Sequence, residues 1–195
     1  MAGELTEAMR REVDDLARRF GEPLRIDATI PDGFGDPIRR PDRVGEVCMV
    51  IRRPNGRLLV STKTFYPPGA YRLPTGGIDA GERIETALLR EAHEETGLTI
   101  AVQRFLAAIS YRTARGETVF HTFAFLLDEL GGALGSLDPH EEILDHREVR
   151  ASELSALADR LDALASARSD EIVGDWADWG RFRAVVHRAV AKALA

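Results

Sequence analysis

The sequence predicts an α/β fold from three patterns: strand-like runs parted by turn residues, one amphipathic helix set between such runs, and helical stripes near both ends. Leu5, Met9, Val13, Leu16 and Phe20 recur at helical spacing, so the first element is an amphipathic helix that should dock on something. Gly21 to Val44 is rich in Gly and Pro and reads as irregular chain, with a short strand at Leu24 to Ile30. Glu46 to Arg52 and Arg57 to Thr62 flank Pro54-Asn55-Gly56, a hairpin signal. A helix follows from about Ile84 to Gly97, where glycine supplies a stop. Thr99 to Tyr111 and Val119 to Leu127 read as strands around a turn at Ala114 to Gly116. A long loop, Asp128 to Glu142, precedes a strand near Ile143 to Arg150. Two helices close the chain: Leu154, Leu157, Leu161 and Leu164 form one stripe, and Trp176, Trp179, Phe182, Val186 and Val190 form another beyond the polar break Ser166 to Glu171. The expected division is an N-terminal helix and arm (1–44), a central domain (45–154) and a helical extension (155–195).

Composition narrows the class of function. With 44% apolar and 30% charged residues, the chain is long enough for one well-buried domain with appendages. Cys48 is the single cysteine and lies in an apolar strand-like run, so it reads as a buried structural thiol in a reducing, cytoplasmic setting. No signal-peptide core or membrane-length apolar run occurs, which fits a soluble protein with no membrane partner. A formal net charge of −6 disfavours long nucleic acid and favours a small nucleotide derivative, whose phosphates would need a metal and local arginines.

The central helix carries charge where hydrocarbon belongs. At about 100° per residue, Ile84, Ala87 and Leu88 share one face; Glu91 and Glu95 fall within roughly 40° of its centre, with Glu94 at its edge. Arg83, Arg90 and His93 occupy the other side, as a solvated face would. Glu94 and Glu95 also sit in the last turn, where the macrodipole disfavours anions. Three clustered inward carboxylates repel one another unless protonated or bound to a cation, and all-oxygen ligation suits Mg2+, with Mn2+ as a substitute. The alternative is an ordinary charged surface helix.

Gly76 to Leu98 fits G-x5-E-x7-R-E-U-x-E-E-x-G-U, where U is apolar, with Gly76, Glu82, Arg90, Glu91, Ala92, Glu94, Glu95, Gly97 and Leu98 in the named slots. This segment resembles the Nudix box. The resemblance implies an α/β/α sandwich with a mixed sheet, and Mg2+-dependent attack of water on the diphosphate link of a nucleoside diphosphate derivative. Nucleotide sugars, ADP-ribose-like compounds and nucleoside triphosphates are the candidate substrates. It assigns Glu91, Glu94 and Glu95 to the metal, joined by a backbone carbonyl beside Gly76, and pairs Glu82 with Arg90 as a brace between loop and helix. The alternative for that pair is a surface ion pair of little energetic weight. Thr75 stands where many relatives have glycine, and Ala92 fills an apolar slot with a small residue. Relatives often place a further glutamate downstream, so Glu141 or Glu142 is expected as a base or additional ligand, against solvated charge as the alternative.

Substrate choice lies outside the box. Neither the downstream proline of many ADP-ribose hydrolases nor the tyrosine spacing of diadenosine polyphosphate hydrolases is seen. Tyr66, Tyr71, Arg72 and Arg112 are candidates to line the pocket, with ordinary loop residues as the favoured reading; His121 and His140 read as structural, and the two tryptophans as core or interface anchors rather than a base-stacking platform. The helical stripes are expected to be buried against the domain or a second subunit, with a homodimer preferred. A nucleotide-sensing module and a prenyl diphosphate isomerase are the rival readings; the latter needs a cysteine in a loop, and Cys48 is in a strand.

Overall fold

The computed structural model describes residues 4–30, 43 and 45–195, so most of the irregular arm expected up to Val44 lies outside the described residues. Helix α1 (Glu7–Phe20) is capped by Thr6, whose hydroxyl accepts from the Met9 N–H, and leads to strand β1 (Leu24–Thr29). Strands β2 (Gly45–Arg52), β3 (Leu58–Lys63) and β4 (Thr75–Gly77) precede helix α2 (Ile84–Thr96). Gly97 ends α2 in the left-handed conformation, φ 66°, with its N–H on His93 O, as the glycine stop anticipates. Then come β5 (Leu98–Arg112), β6 (Thr118–Gly132), β7 (Ile143–Val149), α3 (Leu154–Asp162) and α4 (Trp176–Leu194).

The strands form one sheet in the order β1-β5-β6-β2-β3-β7, with β4 paired to β2. The β1/β5 and β2/β6 pairs are parallel and the others antiparallel, so the sheet is mixed. β2 is buried on both faces, and its alternation sorts two cores: Val47, Met49 and Ile51 pack with α1 and α2, whereas Cys48 and Val50 pack with α3 and α4. The result is helix, sheet and helix in three layers, the expected sandwich. α3 and α4, expected as an extension, supply the whole of one helical layer. Their stripes and that of α1 are covered within the chain, which is burial against the domain, the first of the two expected alternatives.

Two local expectations are corrected. β6 runs on to Gly132 because β5 begins at Leu98 and pairs with it there, so the loop expected from Asp128 shrinks to 133–142 and ends in a 3-10 turn, Pro139–Glu141. The β2/β3 hairpin is also less closed than its turn suggests. Arg52 pairs with Leu58 beside the turn, but farther along β2 pairs with β4 instead and Ser61 of β3 bridges to Arg72. Residues 72–77 thereby wedge the hairpin apart and open a crevice at its end. Among the described residues, no helix is long and apolar enough to cross a membrane.

Candidate active site

Of the α2 carboxylates, Glu91 lines this crevice. Glu91 and Glu95 are 4% and 1% exposed, while the Glu94 side chain stays 39% exposed at the stripe's edge. Gly76 of β4 passes so close that a Cβ there would overlap the Glu91 carboxylate, which is the physical reason for glycine in that slot. Arg90 organises the cluster. Its Nε and Nη2 donate to the two Glu82 oxygens at 2.9 and 2.8 Å, Nη2 also reaches Gly77 O, and Nη1 donates to Glu91 Oε1 (2.9 Å) and Glu94 Oε2 (3.0 Å). Residues 82 and 90 thus join the loop to the helix, and Arg90 additionally fixes two of the inward acids.

Among the described residues, both Glu95 oxygens are buried without a hydrogen-bond partner. Burial pushes its carboxyl up to about 7, with Arg72 and Lys63 pulling the other way and Glu141 and Glu91 adding to the rise. Burial raises Glu91 as well, moderated by Arg90.

The crevice deepens into a cleft of about 320 Å3 whose lining includes Lys63, Tyr66, Arg72, Glu91, Glu141 and Arg183. Glu141 and Glu142 both reach it, but differently. Lys63 Nζ donates to Glu141 at 2.8 Å, whereas Glu142 adopts a left-handed backbone, φ 52°, and accepts the Thr64 N–H on its own carbonyl. The charge of Glu141 acts on both Glu91 and Glu95.

Family membership follows from a comparison that covers most of this site. The NUDIX domain family matches the chain over residues 42–170. The chain belongs to the NUDIX family. It is 36% identical over 95 residues to the ADP-ribose pyrophosphatase of Methanocaldococcus jannaschii, covering 48% of this chain and 55% of that protein. Over 116 residues it is 28% identical to an NAD-capped RNA hydrolase of Photobacterium profundum, covering 60% and 41%. The chain spans about half the length of the curated relatives it matches. Among solved structures, the NUDIX hydrolase from Nitrosomonas europaea aligns with a TM-score of 0.49 at 18% identity, covering 76% of this chain and 89% of that one.

Within this NUDIX domain, the donor chemistry around α2 fits a hard divalent cation. Glu95 offers two unpartnered buried oxygens, Glu91 keeps Oε2 clear of Arg90, and Gly76 brings backbone against that same carboxylate. Among the described residues, however, no three acidic, histidine or cysteine side chains are already gathered around one point, because Arg90 holds Glu94 outward at the rim.

Several residues lie elsewhere than expected. Arg72, read as a loop residue, is 2% exposed at the cleft floor, where Tyr66 accepts its Nε–H at 2.8 Å. Burial works against its charge, but Tyr66, Glu95 and Glu46 more than offset that. Tyr71 donates to Asp145 and Arg112 pairs with Asp27, both outside the cleft. His121 stacks on Phe123 and meets Ser110, while His140 lines the cleft. Trp179 touches the cleft yet is 1% exposed and packs edge-on against Tyr66 and Trp176, a core anchor as expected. Cys48 is fully buried, and burial pushes its thiol up, so it cannot serve the loop-cysteine chemistry of an isomerase.

Sequence reading missed Glu46, Arg183 and His187. Arg183 and His187 are buried on the apolar stripe of α4, four residues apart, which is the same inward-charge signature that marks Glu91 and Glu95 on α2. His187 Nε2 accepts the Leu73 N–H at 2.9 Å and its Nδ1 lies 2.8 Å from Arg183 O, so the neutral ring ties α4 to the wedge that opens the hairpin. Burial holds its pKa down to about 4.

Proposed function

We propose that the cleft is the active centre of a metal-dependent hydrolase that cleaves the diphosphate linkage of a nucleoside diphosphate derivative, with Mg2+ as the ion and Mn2+ able to replace it. The observation that carries this reading is the buried, unpartnered carboxylate of Glu95 beside Glu91, a donor pair that wants a cation. The names of the relatives, ADP-ribose pyrophosphatase and NAD-capped RNA hydrolase, agree with a pyrophosphate link in a nucleotide derivative as the reacting group. The net charge of −6 favours the small members of that class over long RNA, and a single, buried cysteine suits a cytoplasmic setting.

In this reading Glu91, Glu95 and a carbonyl beside Gly76 hold the ion, and Glu94 joins them by leaving Arg90. Once bound, the ion would neutralise diphosphate charge and acidify a bound water. Glu141, steadied by Lys63, is the favoured group to accept or orient the proton of the attacking water, since a metal-bound carboxylate is a weakened base. Glu82 and Arg90 keep the box loop and helix in register.

Incubating the full chain and Mg2+ with ADP-ribose, nucleotide sugars, dinucleoside polyphosphates and nucleoside triphosphates should release two phosphate-containing products from at least one of them. No product from any, with Mg2+ or Mn2+, would overturn the hydrolytic assignment. A nucleotide-sensing module is the second reading, favoured by one observation: Arg90 already engages Glu91 and Glu94. Tight binding without products would select it.

A further inference from the structure

One wall of the cleft is built from α4, which lies beyond residue 170, where the family match ends. From that wall Arg183, 6% exposed, donates Nη1 to both Glu46 oxygens at 2.8 Å and to Thr75 Oγ1 at 3.1 Å. Arg72 donates its own Nη1 to the same Thr75 Oγ1 at 3.1 Å and to Leu73 O at 2.9 Å. Two buried guanidiniums therefore share one neutral acceptor. No hydrogen bond among the described residues uses Nη2 of either, and Arg183 Nε is buried without a partner.

The two arginines are not equally paired. Among the described residues Glu46 is the one carboxylate hydrogen-bonded to Arg183 and none is hydrogen-bonded to Arg72; Glu46 also accepts from Thr122 Oγ1 at 3.0 Å. Glu95 and Glu46 act on Arg72 through their charge, without a hydrogen bond to it. The unused donors of both guanidiniums, Nη2 of each and Nε of Arg183, are what an anionic ligand could engage here. Guanidinium forks with unused donors match phosphate oxygens in shape as well as charge.

We propose that Arg183 and Arg72 form an anion-recognition floor that takes phosphate oxygens of the nucleotide substrate, making Arg183 a specificity-determining residue supplied from outside the family match. This rests on the hydrolytic reading for the identity of the substrate, but not for the existence of the subsite.

The test is calorimetric titration of inorganic pyrophosphate into the full, metal-free chain at low ionic strength, comparing wild type with Glu46→Gln and with Glu46→Gln/Arg183→Gln. Glu46→Gln removes the negative charge that competes with an anion for Arg183 and should bind pyrophosphate at least as tightly as wild type. The double variant removes the Arg183 fork together with the Glu46 charge that would otherwise be left buried without it, and should bind at least about tenfold more weakly. Arg183→Lys, which keeps Glu46 paired but lacks the fork, should be several-fold weaker and serves if the double variant does not fold. Undetectable binding by wild type, wild-type affinity in the double variant and in Arg183→Lys, or equal weakening in Glu46→Gln and the double variant would each overturn the proposal. Because binding is read without metal or turnover, a chain that hydrolyses nothing yet depends on Arg183 for pyrophosphate retains the subsite and loses the hydrolase. Hydrolysis with unchanged KM in the double variant does the reverse.

Discussion

Replacing Gly76 with alanine is the smallest change that tests the site geometry. An ideal Cβ at Gly76 would lie 2.0 Å from Glu91 Cδ and 2.3 Å from its Oε2, whereas ordinary contact begins at 3.4 Å, so the carboxylate must retreat by about 1.4 Å (3.4 − 2.0). It has little room to do so: Glu91 is 4% exposed and its Oε1 is held by Arg90. A misplacement of about 1 Å at a reacting centre costs roughly 10²-fold in rate, and overpacking a buried site costs about 1–3 kcal/mol of stability. Gly76→Ala is therefore expected to lower kcat by about two orders of magnitude while the chain still folds. Gly81→Ala is the control: its φ of 78° strains an alanine, yet a Cβ there meets nothing within 4 Å, so it should lose about 1–2 kcal/mol of stability and no activity. Steady-state rates and thermal melts of both variants read the two effects separately. Wild-type kcat in Gly76→Ala would refute the idea that Glu91 must stand where β4 places it.

Three further outcomes follow from the same geometry. Glu94→Gln and Glu95→Gln should each lower turnover by at least about a hundredfold with unchanged circular dichroism, since the amide keeps the shape and loses the charge; activity within about threefold of wild type in both would remove the metal-site assignment. Glu141→Gln should cut kcat by roughly 10²-fold with little change in KM while Glu142→Gln does not; wild-type kcat in both single variants and the double, at saturating Mg2+, would leave the loop without a base. His187 is held near 4 by burial against 6.5 in free chain, so the unfolded state takes up its proton first as pH falls, and stability should drop between pH 6.5 and 4 by up to about 3 kcal/mol. Melts of His187→Gln across pH 4 to 8 should lack that decline, and an identical pH dependence in the variant would refute it.

How much of this was legible depended on whether the signal was local. The α2 carboxylates, the Gly97 stop, the turn at Pro54-Asn55-Gly56 and the helices α3 and α4 follow from spacing within one segment, and each appears in the fold. The splayed hairpin does not, because it depends on residues 72–77 competing for both strands of the pair. Arg72 carries no periodic pattern that would separate it from a loop arginine. Arg183 and His187 were readable as charge on an apolar stripe, but their meaning was not: Glu46 is 137 residues away in sequence and Leu73 is 114. Helical periodicity says that a side chain turns inward and is silent about what it meets.

Glu95 gives the sharpest view of what the site costs the fold. Its carboxyl, 1% exposed with both oxygens unpartnered, is pushed up to about 7, against 4.5 in free chain. The folded state thus binds this proton more tightly than the unfolded one. Stability from Glu95 is fully present below pH 4.5 and is lost as pH rises through 7, by on the order of 3 kcal/mol. In chelator, Glu95→Gln should therefore melt higher than wild type at pH 8 and nearly with it at pH 4.5, because the amide never has to ionise. Saturating Mg2+ at pH 8 should narrow or reverse that gap, since the ion stabilises only the chain that binds it through the carboxylate. Activity would move the opposite way to metal-free stability, the trade expected where a buried charge is kept for chemistry. If the difference in melting temperature between the two proteins in chelator is the same at pH 4.5 and pH 8, Glu95 does not ionise at a cost in the folded protein, and the carboxylate pair loses its claim to be a site that waits for a cation.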